Sequence, residues 1–490
     1  MKKEIGQLIK HSGIYGLGTV LSKSVGFLMI PVYTHYLSPA DYGVLELLDM
    51  LVFLATHFAA MGIYGAVFRF YAAYDSEKEK REVISTALFY TAATSLLFAL
   101  GISSFASPIA GLILGKTSFA PFVRIVAFTF LFSNLNEVPM AYWRAQGRTG
   151  LFVRVGLART ILGASMLAWF LAGLHWGVQG SLYANLVTNG ISGLILSGVV
   201  LSAVPWRIAR QRLDEMLRYG IPTVAWSLSA FVLTFSDRLF LRYFSNLSEV
   251  GTYALGYKLA AIVTVVVTGP FIMAWGWQQF ELAKRDNAQQ VFARTQTYLL
   301  MVCVFVGLSV SVMAKDLLKI LAPPAFSPAA YVVPIITLSY ILCSTRDIVI
   351  SGIYIQRVTS RLAAIAAITV VSNLALNYVL ISRYHAMGAA VATALSFALE
   401  LALCFVVAQR VYPIQYDYAR SAIILGSATV IYLVSTLPKL DFESSVGVNI
   451  LLLMLFVGIL LMLLDRTERR LLRQYAFDFA QQVCQWTTRS

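Results

Sequence analysis

The chain has 490 residues, of which 58% are hydrophobic and only 13% charged, and its mean hydropathy is +0.73. Soluble chains carry roughly 25% charged residues, so the composition excludes an ordinary water-soluble protein and points to an integral membrane protein. The formal net charge of +14 would suit nucleic acid, but it is spread over short loops in the manner of a membrane topology signal, and no nucleic-acid partner is expected.

Two long apolar segments open the chain, Gly13–Tyr33 and Val44–Phe68, joined by what reads as a short polar turn, Leu37-Ser38-Pro39-Ala40-Asp41-Tyr42-Gly43. About 20 residues at 1.5 Å each cross the hydrocarbon core. The cationic start (Lys2, Lys3, Lys10) before an apolar run imitates a signal peptide. The run is too long for that and no Ala-x-Ala site follows, so a retained first helix is expected. Further apolar runs of spanning length predict fourteen helices, near 12–33, 44–68, 83–105, 118–140, 151–172, 177–203, 219–241, 251–273, 295–314, 329–350, 362–381, 386–408, 421–437 and 446–464. Beyond them, Leu471, Leu472, Tyr475, Phe479, Val483 and Trp486 fall at helical spacing beside Arg469, Arg470 and Arg473. Residues 466–490 therefore read as an amphipathic tail on the anionic inner leaflet. The four cysteines (Cys303, Cys343, Cys404, Cys484) show neither metal spacing nor a disulfide framework.

Orientation follows from Lys and Arg by loop. With the N-terminus inside, 26 of the 38 lie in inner segments, six in outer loops and six within helices. The expected arrangement is a multi-pass protein of the cytoplasmic (inner) membrane with both termini cytoplasmic.

The sequence also repeats. Gly13-Ile14 matches Gly220-Ile221 at an offset of 207; Tyr42-Gly43-Val44-Leu45 matches Val250-Gly251-Thr252-Tyr253 at 208; Gly180-Ser181 with Ala184 matches Gly388-Ala389 with Ala392 at 208. An even-numbered unit of six helices gives two parallel lobes, 1–210 and 211–412, followed by two additional helices in 413–465. Two lobes around a central site are the physical arrangement for alternating access.

With these features in place, the chain resembles the polysaccharide transporters, lipid-linked oligosaccharide flippases of the MATE-like multidrug/oligosaccharidyl-lipid/polysaccharide (MOP) superfamily. The resemblance rests on Gly26-Phe27, the Leu37–Gly43 run, Tyr142-Trp143-Arg144-Ala145-Gln146-Gly147-Arg148, Asp237-Arg238-Leu239, Val250–Tyr253, Tyr257-Lys258-Leu259, Asn373, Asn377, Tyr384 and Gly388-Ala389-Ala390. It implies an all-α V-shaped bundle. Its central cavity would take an oligosaccharide, such as an O-antigen or exopolysaccharide repeat unit, on a polyprenyl diphosphate. A polysaccharide polymerase and co-polymerase are candidate partners. Lipid II flippases carry a basic residue in helix 1 followed six positions later by Arg-Asp; Lys23 fits the first position, but Met29-Ile30 occupies the second. This departure counts against a peptidoglycan precursor.

A diphosphate drawn into a cavity needs cations there, and a charge at membrane depth costs about 2.5–3.5 kcal/mol. Lys23, Arg159 and Lys258, with Arg238, are the candidate substrate-binding cations. Six acids also lie within segments (Glu46, Asp49, Glu137, Asp237, Asp347, Glu400), so each cation is alternatively the partner of an acid in the bundle. Asp237-Arg238 and Arg346-Asp347 are adjacent, which turns the members of each pair to different faces and predicts partners elsewhere. Glu400 and Asp237 are candidate sites for coupling to an H+ or Na+ gradient, Glu400 alternatively a packed salt bridge. Arg144, Arg148 and Arg154 lie at the inner mouth, as topology determinants or as a substrate-admitting cluster. No metal, catalytic triad or nucleotide-binding pattern occurs, and no cofactor or enzymatic activity is expected. The rival readings are a cation-coupled drug or lipid antiporter and, from another class, a membrane polymerase or ligase.

Overall fold

The helix starts follow local chemistry. In the computed structural model, which describes residues 25–437, 442–466 and 468–470, the chain enters with α1 (Ile30–Tyr36). The Leu37–Gly43 run is not a turn, as the sequence suggests, but the start of α2 (Pro39–Ala60). Ser38 Oγ accepts from Asp41 N at 3.2 Å and the Asp41 carboxylate accepts from Ser38 N at 3.1 Å, a reciprocal capping box with Pro39 at the first helical position. The apolar run 44–68 is likewise two helices: Met61 and Gly62 adopt left-handed backbone and separate α2 from α3 (Ile63–Ala73). The first lobe continues with α4 (Glu77–Ser104), α5 (Ala106–Leu114), α6 (Ala120–Ala145), α7 (Thr149–Ala168) and α8 (Gly177–Leu201).

The second lobe begins with α9 (Arg210–Phe244) and α10 (Leu247–Ala260). Asn246 caps α10 by accepting from Glu249 N at 3.0 Å. Asn246 and Glu249 lie 208 residues beyond Ser38 and Asp41, so the repeat extends to equivalent helix caps. Then follow α11 (Gly269–Leu282), α12 (Ala288–Leu321), α13 (Ala329–Val349), α14 (Ser351–Ile355) and α15 (Ser360–Val411). The 52 residues of α15 are two helices that reverse at His385, whose φ of 50° and ψ of −128° are not helical. The legs fold back closely: Asn373 donates to Ser396 at 3.0 Å, and a side chain at Gly388 would overlap the Leu380 carbonyl. Twelve helices among the described residues are long and apolar enough to span a membrane; counting α15 as two gives thirteen such segments. The expected first helix, 12–33, lies largely outside the described residues, as do Lys23 and nearly all of the tail at 466–490.

The lobes meet where α2 crosses α10. A Cβ at Gly43 would overlap the Leu247 carbonyl oxygen, and one at Gly251 would overlap the Pro39 carbonyl oxygen. Only glycine permits this approach, and its symmetry follows from the repeat. At the same end of the bundle Thr34 donates to the Leu321 carbonyl at 2.7 Å and Arg242 to the Leu114 carbonyl at 2.9 Å. This end is closed.

Helix α9 belongs to both halves. Its first turns bury Met216 among Ile63, Ala66 and Val83 of the first lobe. Its last turns tie Ser236 to Asn373 and Asn377 of α15, each at 3.1 Å. Pro222, which cannot donate to the carbonyl four residues back, lies between these two parts. The preceding linker and the first turn of α9 are pinned to α4 by the Arg207–Glu82 ion pair, by Arg212–Glu79 at 2.5 Å and by Ala209 N donating to Thr86 Oγ1 at 3.0 Å.

The two extra helices, α16 (Tyr418–Thr436) and α17 (Phe442–Leu463), pack on α12. Buried Asp316 of α12 accepts from Ser445 at 3.0 Å and Asn449 at 3.1 Å. At the opposite end of these helices Arg420 reaches Asp417, Asp465 and Glu468 at 3.0, 2.9 and 3.4 Å.

Candidate functional site

Below the Gly43–Gly251 crossing, the facing surfaces of α2 and α10 carry charge. Glu46 lies three residues after Gly43, and Lys258 seven residues after Gly251; helical spacing puts both on the face of the crossing. Glu46, 6% exposed, forms an ion pair with Lys258. The Lys258 ammonium also donates to Tyr42 Oη at 2.9 Å and lies 4.7 Å from the centre of that ring. Its side chain is nevertheless 46% exposed. An ammonium at membrane depth does not face lipid at acceptable cost, so the open surface at Lys258 is the cleft between the lobes. Asp49, one turn beyond Glu46, is exposed on the same helix.

Arg238 approaches the same carboxylate from α9, with Nε 3.8 Å from Glu46 Oε2. It is 3% exposed, so it is a buried strut and does not face the cleft as expected of a substrate-binding cation. Its guanidinium lies 4.6 Å from the Tyr257 ring centre and 3.1 Å from Asp237. Asp237 additionally accepts from Tyr253 Oη at 2.6 Å and from Arg238 N at 2.8 Å. Adjacent Asp and Arg therefore do pair, contrary to the expectation from helical faces. The long arginine chain folds back over the preceding residue. Two acids and two cations balance one another across the interface.

A second cluster lies inside the second lobe. Arg346 holds Glu400 through two contacts of 2.9 Å and its neighbour Asp347 at 2.6 Å, again an adjacent pair that closes on itself. These residues line a cavity of about 250 Å³ together with Trp275, Gln279 and Tyr354. Of the two readings of Glu400, the geometry is that of a packed salt bridge. Asp237, the other candidate coupling acid, is also fully engaged.

In the first lobe, Arg159 is partly buried and donates to Asn189 Oδ1 at 3.3 Å. It is not brought to Lys258 by any contact described. Arg144, Arg148 and Arg154 are exposed; the Arg144 guanidinium lies over Phe68 and Phe152 at 4.7 and 5.2 Å, and Arg154 donates to the Gly150 carbonyl at 3.2 Å. Sequence reasoning named Glu46 and Tyr42 without seeing that they complete the Lys258 site. The legible signal was their spacing from the two repeated glycines.

An all-helical membrane bundle of two repeated lobes, closed at one end over a paired but accessible ammonium, defines a polytopic membrane protein of the MATE and MurJ fold. A family model described as polysaccharide biosynthesis protein matches residues 8–275. The chain belongs to that family. It is 25% identical over 479 residues to a probable low-salt glycan biosynthesis flippase, Agl15, of Haloferax volcanii, spanning 94% of each chain. It is 24% identical over 308 residues to the succinoglycan biosynthesis transport protein ExoT of Rhizobium meliloti, covering 59% of this chain and 58% of that one. Among solved structures, the lipid II flippase MurJ in an inward closed conformation superposes with a TM-score of 0.69 at 14% identity, over 91% of this chain and 98% of that one. An inward-facing multidrug resistance MATE transporter superposes at 0.64 and 13% identity, over 81% and 97%. At these identities the structures establish the fold.

Proposed function

We propose that the protein is a flippase. It moves a polyprenyl-diphosphate-linked oligosaccharide, an O-antigen or exopolysaccharide repeat unit, from the inner to the outer leaflet of the cytoplasmic membrane by alternating access. The observation that carries this reading is Lys258: an ammonium at membrane depth, half open to the cleft, beneath a closed end of the bundle. The excess of Lys and Arg in the loops on the other side supports the Gly43–Gly251 end as the outer one and both termini as cytoplasmic. The names of the relatives, a glycan biosynthesis flippase and a succinoglycan transport protein, support transport of a glycan precursor over an enzymatic role.

In this cycle the diphosphate reaches Lys258 from the inner leaflet while the polyprenyl tail stays in lipid. Lys23 and Arg159 are the further cations proposed to receive it, and Arg144, Arg148 and Arg154 draw it to the inner mouth. Separation of α2 from α10 then opens the outer side. Moving one charge through 100 mV is worth about 2.3 kcal/mol. A diphosphate of about two charges therefore gains roughly 4–5 kcal/mol per 100 mV on moving outward from a negative interior. The membrane potential is thus a sufficient drive, with an H+ or Na+ gradient as the alternative. A polysaccharide polymerase and co-polymerase are the proposed consumers of the flipped lipid.

The test is reconstitution in liposomes with a labelled polyprenyl-diphosphate sugar placed in one leaflet. Protein-dependent transfer to the other leaflet is the expected result. No transfer above protein-free vesicles overturns the reading.

A further inference from the structure

The Glu46–Lys258 pair has the geometry of an occupied anion site. Its cation is nearly half open to the cleft, whereas its anion is buried, the exposures of the two side chains being 46% and 8%. A ligand in the cleft therefore reaches the ammonium without first displacing any side chain from the open face. The two residues belong to different lobes, and they sit one and two turns below the glycine crossing that closes the outer end. The pair is thus an anion contact and an inter-lobe tie at once.

We propose that Glu46 is the specificity-determining residue of this site, an internal surrogate for the ligand's phosphate that a sufficiently anionic lipid must displace from Lys258. Displacement removes the ion tie between α2 and α10 and releases the outer end. A neutral or weakly charged lipid leaves the tie intact. This rests on reading the cleft as the site of a diphosphate-linked lipid.

The surrounding charges favour the exchange at Lys258 and not elsewhere. Arg238 is 3.8 Å from Glu46, but its guanidinium is committed to Asp237 at 3.1 Å and is buried. Once Lys258 leaves, Glu46 retains only that distant, shared cation. Tyr42, on α2 with Glu46, accepts from the same ammonium at 2.9 Å, so separation of α2 from α10 breaks this hydrogen bond together with the ion pair. Coupling free energies between sites are typically worth 5–150-fold in affinity. Removing the surrogate anion is therefore expected to tighten binding of the diphosphate lipid by roughly tenfold.

The experiment uses the full chain in nanodiscs, with its four cysteines replaced and spin labels at positions 116 and 331, exposed sites on the two lobes at the outer end. Polyprenyl diphosphate bearing one sugar, polyprenyl monophosphate and free polyprenol are added in turn, and binding is measured in parallel. In the wild type the inter-label distance should lengthen with diphosphate, less with monophosphate and not with polyprenol. In Glu46→Gln it should be long without any lipid, with roughly tenfold tighter diphosphate binding. Glu46→Gln/Lys258→Met removes both charges, which avoids an orphaned buried partner, and should give a long distance that no lipid changes. If wild type binds the diphosphate lipid but both variants keep the wild-type distance, the surrogate role is overturned while the flippase reading stands. If wild type binds none of the lipids, both fall.

Discussion

Gly43 and Gly251, 208 residues apart, pack reciprocally, each against the carbonyl that opens the other's helix: Gly43 on Leu247 and Gly251 on Pro39. Neither position has room for a methyl group. Overpacking a close contact costs about 1–3 kcal/mol, so Gly43→Ala and Gly251→Ala should each shift the lobes toward separation at this end by about 5- to 150-fold. Distances between labels at 116 and 331 measure it. Gly65→Ala, where nothing lies within 4 Å, is the control and should leave the distance unchanged.

Lys258 is the accessible member of the interface cluster. Lys258→Ala should lower lipid flipping in proteoliposomes at least tenfold, a loss of about 1.4 kcal/mol or more, whereas Lys258→Arg keeps the charge and should retain most of it. Equal activity of the two variants would remove Lys258 from the site.

Lys23 is tested in cells. In a strain dependent on this gene, Lys23→Ala should cut polymer export and Lys23→Arg should support it. Full export by the alanine variant would exclude Lys23 from substrate binding.

Glu400 separates structure from coupling. It is held by Arg346 through two contacts of 2.9 Å and is 6% exposed. Losing one member of a buried pair costs about 3–5 kcal/mol, while replacing both by apolar residues is far milder. Glu400→Ala should therefore unfold at clearly lower temperature, and Arg346→Met/Asp347→Asn/Glu400→Leu, which also removes the second acid held by Arg346, should recover most of the loss. A coupling role would instead abolish transport in Glu400→Ala at unchanged thermal stability.

Orientation is checked by labelling. With a membrane-impermeant thiol reagent, Lys116→Cys should react from outside in intact cells and Lys78→Cys only after permeabilisation. The reverse pattern would invert the proposed direction of transport.

The chain's own order of residues determined the membrane class, the order of the apolar segments and the direction of the charge bias. These are set by hydrophobic length and by loop charge, both local quantities. The repeat even carried the helix caps, Ser38 with Asp41 and Asn246 with Glu249, although their local form as helix starts and not a turn needed the backbone. What only the tertiary structure decided was which charge meets which. Lys258 chose Glu46, Arg238 shared itself between Asp237 and Glu46, and Arg346 took both Asp347 and Glu400. Such choices depend on where two helices 208 residues apart cross, and on long side chains that fold back along their own helix. Helical spacing fixes the face a residue occupies; the glycine crossing fixes what stands opposite.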